Sequence, residues 1–387
     1  MANKAWWLLL CLLFAGLAQA APRIGVMTMQ PGEIFFERFG HDAIVVVDSD
    51  TGRATSYNYG FFDPGEPGFL GRFIHGRMEY MLAALPLEMD LETYRREGRG
   101  VSIQWLDLTD AQATRLAGAL EVAARPENAR YRYDYFTENC ATKVRDAIDD
   151  ALDGQLHHLI AGRSRGNTYR SEAVRLASPA AWMWIGFDIG LSRTADQQLS
   201  RWGEAFVPMR LADSLGEVTL ADGRPLVAAT EQLLPHRLPP APAETPRPWS
   251  PWLLAGLAIA AGLLLLARRP QLLAAVAGVF WLLGGLLGVL MLFLWFGTEH
   301  RFAWANENLL LFSPLGLLLL PAAWRMMAGR RPGRWSRGVL IAVTVLACCA
   351  LLLKWVLLSS QVNEPWIALL LPVHLALWFA LKRRLQA

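Results

Sequence analysis

Apolar residues are spaced in two different ways along the chain. Past Trp249 they run almost unbroken, in stretches at about 252–267, 271–297, 309–324, 339–358 and 366–381. Three of these approach the ~20 residues with which a helix crosses a bilayer, and two are shorter. The pattern predicts an all-α transmembrane domain of five helices within 252–387. Upstream, His41-Asp-Ala-Ile-Val-Val-Val-Asp48 is a β-branched run that ends in the turn-rich Asp48-Ser-Asp-Thr-Gly-Arg53, and Thr55–Phe61 follows as its partner, which predicts a β-hairpin. Leu87–Glu97 has helical spacing and Val101–Leu108 alternates as a strand. Thr109-Asp-Ala-Gln112 has the form of a capping box opening a helix to about Ala124, and a further helix is predicted from near Asn139 to about Leu152. About 210 residues are enough for one core, so 21–234 is expected as a single α+β domain. The next segment, 235–251, holds seven prolines in 17 residues and predicts a semi-rigid spacer.

The first 20 residues have the layout of an export signal: Lys4, then the apolar run Trp6–Leu17, then Ala18-Gln19-Ala20 as a small-x-small cleavage site. Charge then fixes an expected orientation. Residues 21–248 carry 24 Lys/Arg against 31 Asp/Glu, whereas 249–387 carry 12 against 3. In the second half the positive charges cluster at Arg268 and Arg269, at Arg325 to Arg337, and at Lys382 to Arg384, while the intervening loops hold only Arg301. The positive-inside rule puts those clusters and the C-terminus in the cytoplasm and the N-terminal domain in the periplasm, for a multi-pass protein of a bacterial cytoplasmic membrane. An acidic ectodomain without a basic stripe excludes nucleic acid as a partner class.

Of four cysteines, Cys11 belongs to the signal and Cys348 and Cys349 to an apolar stretch, which leaves Cys140 as the one thiol of the exported domain. A single thiol in an oxidising compartment is either sealed in the core or used. Cys140, Val144, Ile148 and Ala151 share a helix face, which fits burial. Equally, Asn139 is a good N-cap and puts Cys140 in the first helical turn, where free N–H groups favour a thiolate, lower the thiol pKa and can hold an oxyanion. Among seven histidines, His41 stands out: it begins a strand straight after Gly40, where its ring can project from a sheet edge, although a packing role is also open to it. Asn58 on the paired strand is a candidate to orient the ring. His75, His157, His158, His236 and His374 fit surface contacts or packing, and Asp188, Asp196 and Glu204 fit capping or surface solvation. No His-x-x-x-His, cysteine pair or dense carboxylate cluster suggests a metal, and no glycine loop suggests a phosphate cofactor.

Phe39-Gly-His-Asp-Ala-Ile-Val-Val-Val47, Tyr57-Asn-Tyr-Gly-Phe61, Glu138-Asn-Cys-Ala-Thr-Lys-Val-Arg-Asp146 and Trp184-Ile-Gly-Phe-Asp-Ile-Gly-Leu191 together resemble the Lnb-type periplasmic domain of bacterial lipoprotein N-acyltransferases. The outer loop Glu299–Leu310 is similar to that family's membrane part. His before Cys, with Asn-Cys opening a helix, is also similar to the circularly permuted papain-like fold of lecithin:retinol acyltransferase relatives. The resemblance implies Cys140 as nucleophile and His41 as base, with Asn58 as third member and Asn139 as oxyanion or cap support. It implies a phospholipid acyl donor, a diacylated lipoprotein as acceptor and no cofactor. His300, Asn306 and Glu307 of the outer loop are candidates to meet headgroup or acceptor. A membrane-anchored papain-like peptidase or cell-wall amidase using the same pair, and a non-catalytic envelope scaffold with a buried Cys140, remain the alternatives.

Overall fold

A computed structural model describes residues 20–356, 360–382 and 384. All but the last residue of the expected export signal lies outside the described residues. Among the described residues seven strands occur, β1 Arg23–Met29, β2 His41–Val47, β3 Ala54–Phe61, β4 Glu79–Pro86, β5 Val101–Leu106, β6 Arg130–Arg132 and β7 Val227–Leu234. Helices follow in chain order as α1 Phe69–Ile74, α2 Leu87–Glu97, α3 Asp110–Ala123, α4 Cys140–Ala151, α5 Gln155–Ile160, α6 Tyr169–Ala177, α7 Ala181–Gly190, α8 Arg201–Glu204 and α9 Pro208–Gly216. The apolar half supplies α10 Ser250–Leu266, α11 Pro270–Gly297, α12 Leu320–Met327, α13 Trp335–Trp355 and α14 Glu364–Leu381.

The chain forms two compact units that interleave in sequence. One comprises residues up to Glu66, Met78–Arg165 and Leu199–Ala241, and the other Pro67–Arg77, Gly166–Gln198 and Pro242–Ala387. Thus α1, α6 and α7 belong with the apolar helices, although they lie within the expected ectodomain.

The first unit is built on an antiparallel sheet in the order β6-β4-β3-β2-β1-β5-β7. The predicted hairpin is β2–β3, paired from Val47↔Ala54 to Ile44↔Tyr57. Its turn is tied by the Asp48 carboxylate, which accepts the N–H groups of Asp50 and Thr51. Pleating sends alternate residues to opposite faces. Ile44, Tyr57 and Leu82 pack with Leu116 and Leu120 of α3, Val144 and Ile148 of α4 and Leu211 of α9. On the other face, Met27, Met29, Ala43, Val45 and Ile103 pack with Tyr94 of α2. Helix α3 opens with the predicted capping box of Thr109 and Gln112.

Among the described residues of the second unit four stretches are long and apolar enough to cross a membrane: Pro270–Gly297, Glu307–Met327, Trp335–Trp355 and Glu364–Leu381. The 17-residue α10 falls short of that length, at about 25 Å for its rise. The carboxylates expected as caps or solvated groups are instead enclosed and paired. Asp188 takes a two-pronged contact from Arg247 at 2.8 and 2.9 Å and the Trp366 indole N–H at 2.7 Å. Asp196 pairs with the buried Arg170 at 2.6 Å, and in the first unit Glu204 pairs with Arg165 at 2.9 Å. Burial of an ionised carboxylate is tolerable only with such partners, and the arginines that supply them are remote in sequence.

Candidate active site

Cys140 is the first residue of α4, and the sequence around it makes a firm helix start. The Asn139 side-chain carbonyl accepts the Thr142 N–H at 3.0 Å, while the Thr142 hydroxyl accepts the Asn139 N–H at 2.8 Å. This closes the capping box. The Asn139 amide nitrogen donates to the carbonyls of Tyr135 and Phe206 at 3.0 and 2.8 Å. Asn139 is therefore committed as a cap and anchor, and its side-chain donors are not free to meet an oxyanion.

The ladder between β2 and β3 ends at Ile44↔Tyr57, and β3 bulges between Tyr59 and Phe61, where Gly60 has φ +93°. Beyond that end, the backbone N–H groups of Asp42, Ala141 and Cys140 itself are directed at the Cys140 sulfur and favour its anion. The thiol is thus next to the residue that follows His41. Its pKa nevertheless moves the other way from the sequence expectation. Burial, then the charge of Asp42, push the thiol up to about 12. Asp42 is wholly buried on the strand, with one carboxylate oxygen accepting the Thr28 hydroxyl at 2.7 Å and the other without a partner. Burial raises its own pKa to about 7.

His41 begins β2, and its Nε2 is 3.0 Å from the Asn58 side-chain oxygen. The Asn58 amide nitrogen donates to Asp90 of α2 at 2.9 Å and to the Ser56 hydroxyl at 3.1 Å, and Ser56 in turn donates to Asp90 at 2.7 Å. This network assigns the tautomer: with the Asn58 nitrogen turned to Asp90, its oxygen must accept, so Nε2 carries the proton and Nδ1 keeps the lone pair. Burial, then the Arg99 guanidinium, lower the His41 pKa to about 4, against the raising influence of Asp90 and Asn58. Imidazole and thiol are both neutral near pH 7. Asp90, Ser56, Asp42 and Arg99 escape the sequence reading; the one local signal is Asp90 itself, a carboxylate on the otherwise apolar Leu87, Leu91, Tyr94 stripe of α2.

Against this geometry, two family models match the chain. One, described as the Lnb N-terminal periplasmic domain, covers residues 19–171, and the other, the Lnb transmembrane domain, covers 243–384. The chain belongs to the Lnb family. Neither the curated proteins nor the solved structures contain a match. Together the two Lnb matches make this a multi-pass membrane protein with a periplasmic N-terminal domain, and the family suggests a membrane-associated enzyme that modifies lipoproteins.

The outer-loop residues belong to the second unit of this Lnb chain and are held differently from one another. Asn306 is buried. Its nitrogen donates to the carbonyls of Ile189 and Gly190 at the end of α7, and its oxygen accepts from Gln361 at 2.9 Å. It braces α7 and has no free group for a headgroup. The His300 ring is 3.2 Å from the Phe73 carbonyl, and the Glu307 backbone N–H donates to Gln361 at 2.9 Å. Other histidines pack as expected: His157 against Trp202, and His236 accepting the Gly100 N–H at 3.0 Å. Among the described residues no cluster of His, Cys, Asp or Glu is suited to a metal ion.

Proposed function

We propose that this Lnb-family protein is a thiol acyltransferase that carries an acyl chain from a phospholipid, through a thioester on Cys140, to the α-amine of a diacylated lipoprotein cysteine. One observation carries it: a capped helix start presents a thiol, ringed by backbone N–H groups, beside a strand whose histidine has its tautomer set by Asn58 and Asp90. That is the division of labour acyl transfer requires, with a nucleophile, a base of fixed orientation and electrostatic support for a tetrahedral oxyanion. The chain order, His41 ahead of Cys140, is what a permuted papain-like domain would have.

The two neutral partners dictate how the first step runs. His41 Nδ1 takes the thiol proton as the sulfur attacks the ester carbonyl, so no thiolate–imidazolium pair accumulates beforehand. The N–H groups of Asp42, Ala141 and Cys140 are available to the developing charge. Collapse breaks the ester C–O bond, the proton passes from His41 to the leaving oxygen, and lysophospholipid departs. In the second half, His41 takes a proton from the attacking amine, the C–N bond forms, the C–S bond breaks and the proton returns to sulfur. Ester to thioester to amide needs no nucleotide or metal. Five membrane helices, α10 included, would hold the domain at the outer headgroup layer, with the C-terminus in the cytoplasm.

The test is mass spectrometry of lipoprotein N-termini in cells lacking other N-acyltransferases. Triacylated species are expected with the native chain and only diacylated ones with Cys140→Ala. Diacylated species in both would remove the acceptor, and the absence of an acyl adduct on Cys140 would remove the thioester.

A further inference from the structure

Aromatic rings in the first unit form a continuous series from the thiol to the surface. A side chain added at Gly60 would sit 3.8 Å from both the Cys140 Cβ and the Tyr133 ring and 3.9 Å from the Tyr131 hydroxyl, so this glycine fronts a small space beside the thiol. Outward from it, ring centroids follow at 6.5 Å for Tyr131 to Tyr133, 4.2 Å for Tyr133 to Tyr80, 4.8 Å for Tyr80 to Phe62 and 5.7 Å for Phe62 to Phe36. At the far end Phe36 is 58% exposed, and Ile34, Phe35 and Phe61 are 49%, 43% and 50% exposed. At the near end the Tyr131 hydroxyl is buried and has no hydrogen-bond partner. Buried hydroxyls are normally satisfied, so an unpaired one beside a nucleophile marks the place of a ligand's polar atom.

We propose that this series is an acyl-chain track. The chain of a bilayer phospholipid would lie along Phe36, Phe62, Tyr80 and Tyr133, with its ester carbonyl at Cys140 and the Tyr131 hydroxyl donating to that carbonyl. The loop carrying Ile34 to Phe36, together with Phe61, would enter the boundary between headgroups and acyl chains. The occupant follows from the lining. Rings packed on one another leave a row of apolar edges, which suits methylene groups, whereas a peptide laid there would leave its backbone donors and acceptors unpaired. A chain bearing the Lnb transmembrane domain also keeps such a patch on a protein held at a bilayer. Only the chemistry at the sulfur rests on the acyl transfer proposed above.

The experiment uses the full-length Cys140→Ala protein in phosphatidylethanolamine vesicles doped with a phosphatidylethanolamine carrying a diazirine in its acyl chain. Photolysis and peptide mapping are expected to find adducts on 31–38, 60–62, 79–81 and 131–133. The double variant Phe36→Ser, Phe61→Ser should lower those on 79–81 and 131–133 about tenfold. In the Cys140-containing protein the same double variant should slow acylation by vesicle phospholipid about tenfold, well beyond any slowing of acylation by a water-soluble short-chain nitrophenyl ester that has no chain to lay on the track. Adducts confined to residues 249–387, or equal slowing with both donors, would overturn the track. Adducts on the track without any acyl adduct on native Cys140 would keep it and overturn the acyl transfer, and an acyl adduct without track adducts would do the reverse.

Discussion

Cys140 and Asp42 set the local electrostatics between them. The helix start supplies the N–H groups that the sequence promised, but a thiol packed where the β2–β3 ladder ends loses more by desolvation than it gains from them, and Asp42 adds a charge of the wrong sign. Reading Asn-Cys as a cap located the thiol correctly and misjudged its ionisation, because burial by Asp42 and the tyrosines is a tertiary property. The expected result is slow iodoacetamide labelling of native Cys140 at pH 7, with a rate still climbing above pH 9. Asp42→Asn should speed that labelling, since the neutral amide can keep the Thr28 bond and removes the opposing charge. The same variant has a stability signature of defined sign. The folded-state pKa of Asp42 is raised to about 7, so the fold disfavours its ionised form. The resulting penalty is absent at pH below the usual carboxylate pKa, grows as pH rises and is complete above about 7. Asp42→Asn should therefore leave Tm unchanged near pH 4 and raise it at pH 8. Equal Tm values at both pH values, or unaltered labelling, would remove Asp42 from this role.

Local pattern reveals some elements and hides others, for reasons of position. The β2–β3 hairpin was legible from its β-branched run and turn-rich loop, and β5 and helices α2, α3 and α4 because each has one buried face or a capping signal. Strand β1 was not, since six of its seven residues are buried and nothing alternates. Strand β4, with two alanines and a terminal proline, has weak strand propensity and is held by pairing with β3. Helix α2 matters most for the site, because it crosses the sheet face below Asn58 and brings Asp90 there. Removing that carboxylate leaves two buried donors, on Asn58 and Ser56, without their acceptor, at about 1–3 kcal/mol. It also frees the Asn58 amide to turn and select the other His41 tautomer. Asp90→Ala should thus lower the rate of acyl adduct formation about 100-fold, the scale of a lost acid–base contribution. Asp90→Asn should recover part of it, because its carbonyl can still accept. A loss of Tm with an unchanged rate would reduce Asp90 to a packing role.

Over the whole chain, the sequence separates an acidic ectodomain from a basic apolar half at the Pro-rich segment, and the change between compact units at Ala241 falls inside that segment. What composition does not reveal is that residues 166–198, polar enough to read as ectodomain, belong with the apolar helices. Their attachment is a buried charge cluster. Arg170 holds Asp196 and the carbonyls of Asp188 and Leu191, Asp188 holds Arg247, and the Trp366 indole of α14 donates to the same Asp188. Asp188 is thus where α6, α7, the segment entering α10 and the start of α14 meet. Such a cluster need not add much stability when complete, but breaking it is costly, because the Trp366 indole N–H loses its buried acceptor and the half-buried Arg247 its carboxylate, while Arg170 keeps Asp196. Asp188→Ala is expected to cost about 1–3 kcal/mol, read as a lowered unfolding temperature of the full-length protein in detergent. Limited proteolysis should then cut within 242–249, where Arg247 is no longer held. Asp188→Asn retains an acceptor for Trp366 and should fall between the two. A native unfolding temperature in Asp188→Ala would mean that α7 is held by Arg170, through the backbone carbonyls of residues 188 and 191, and by Asn306 and Asn308, whose amide nitrogens both donate to the Ile189 carbonyl.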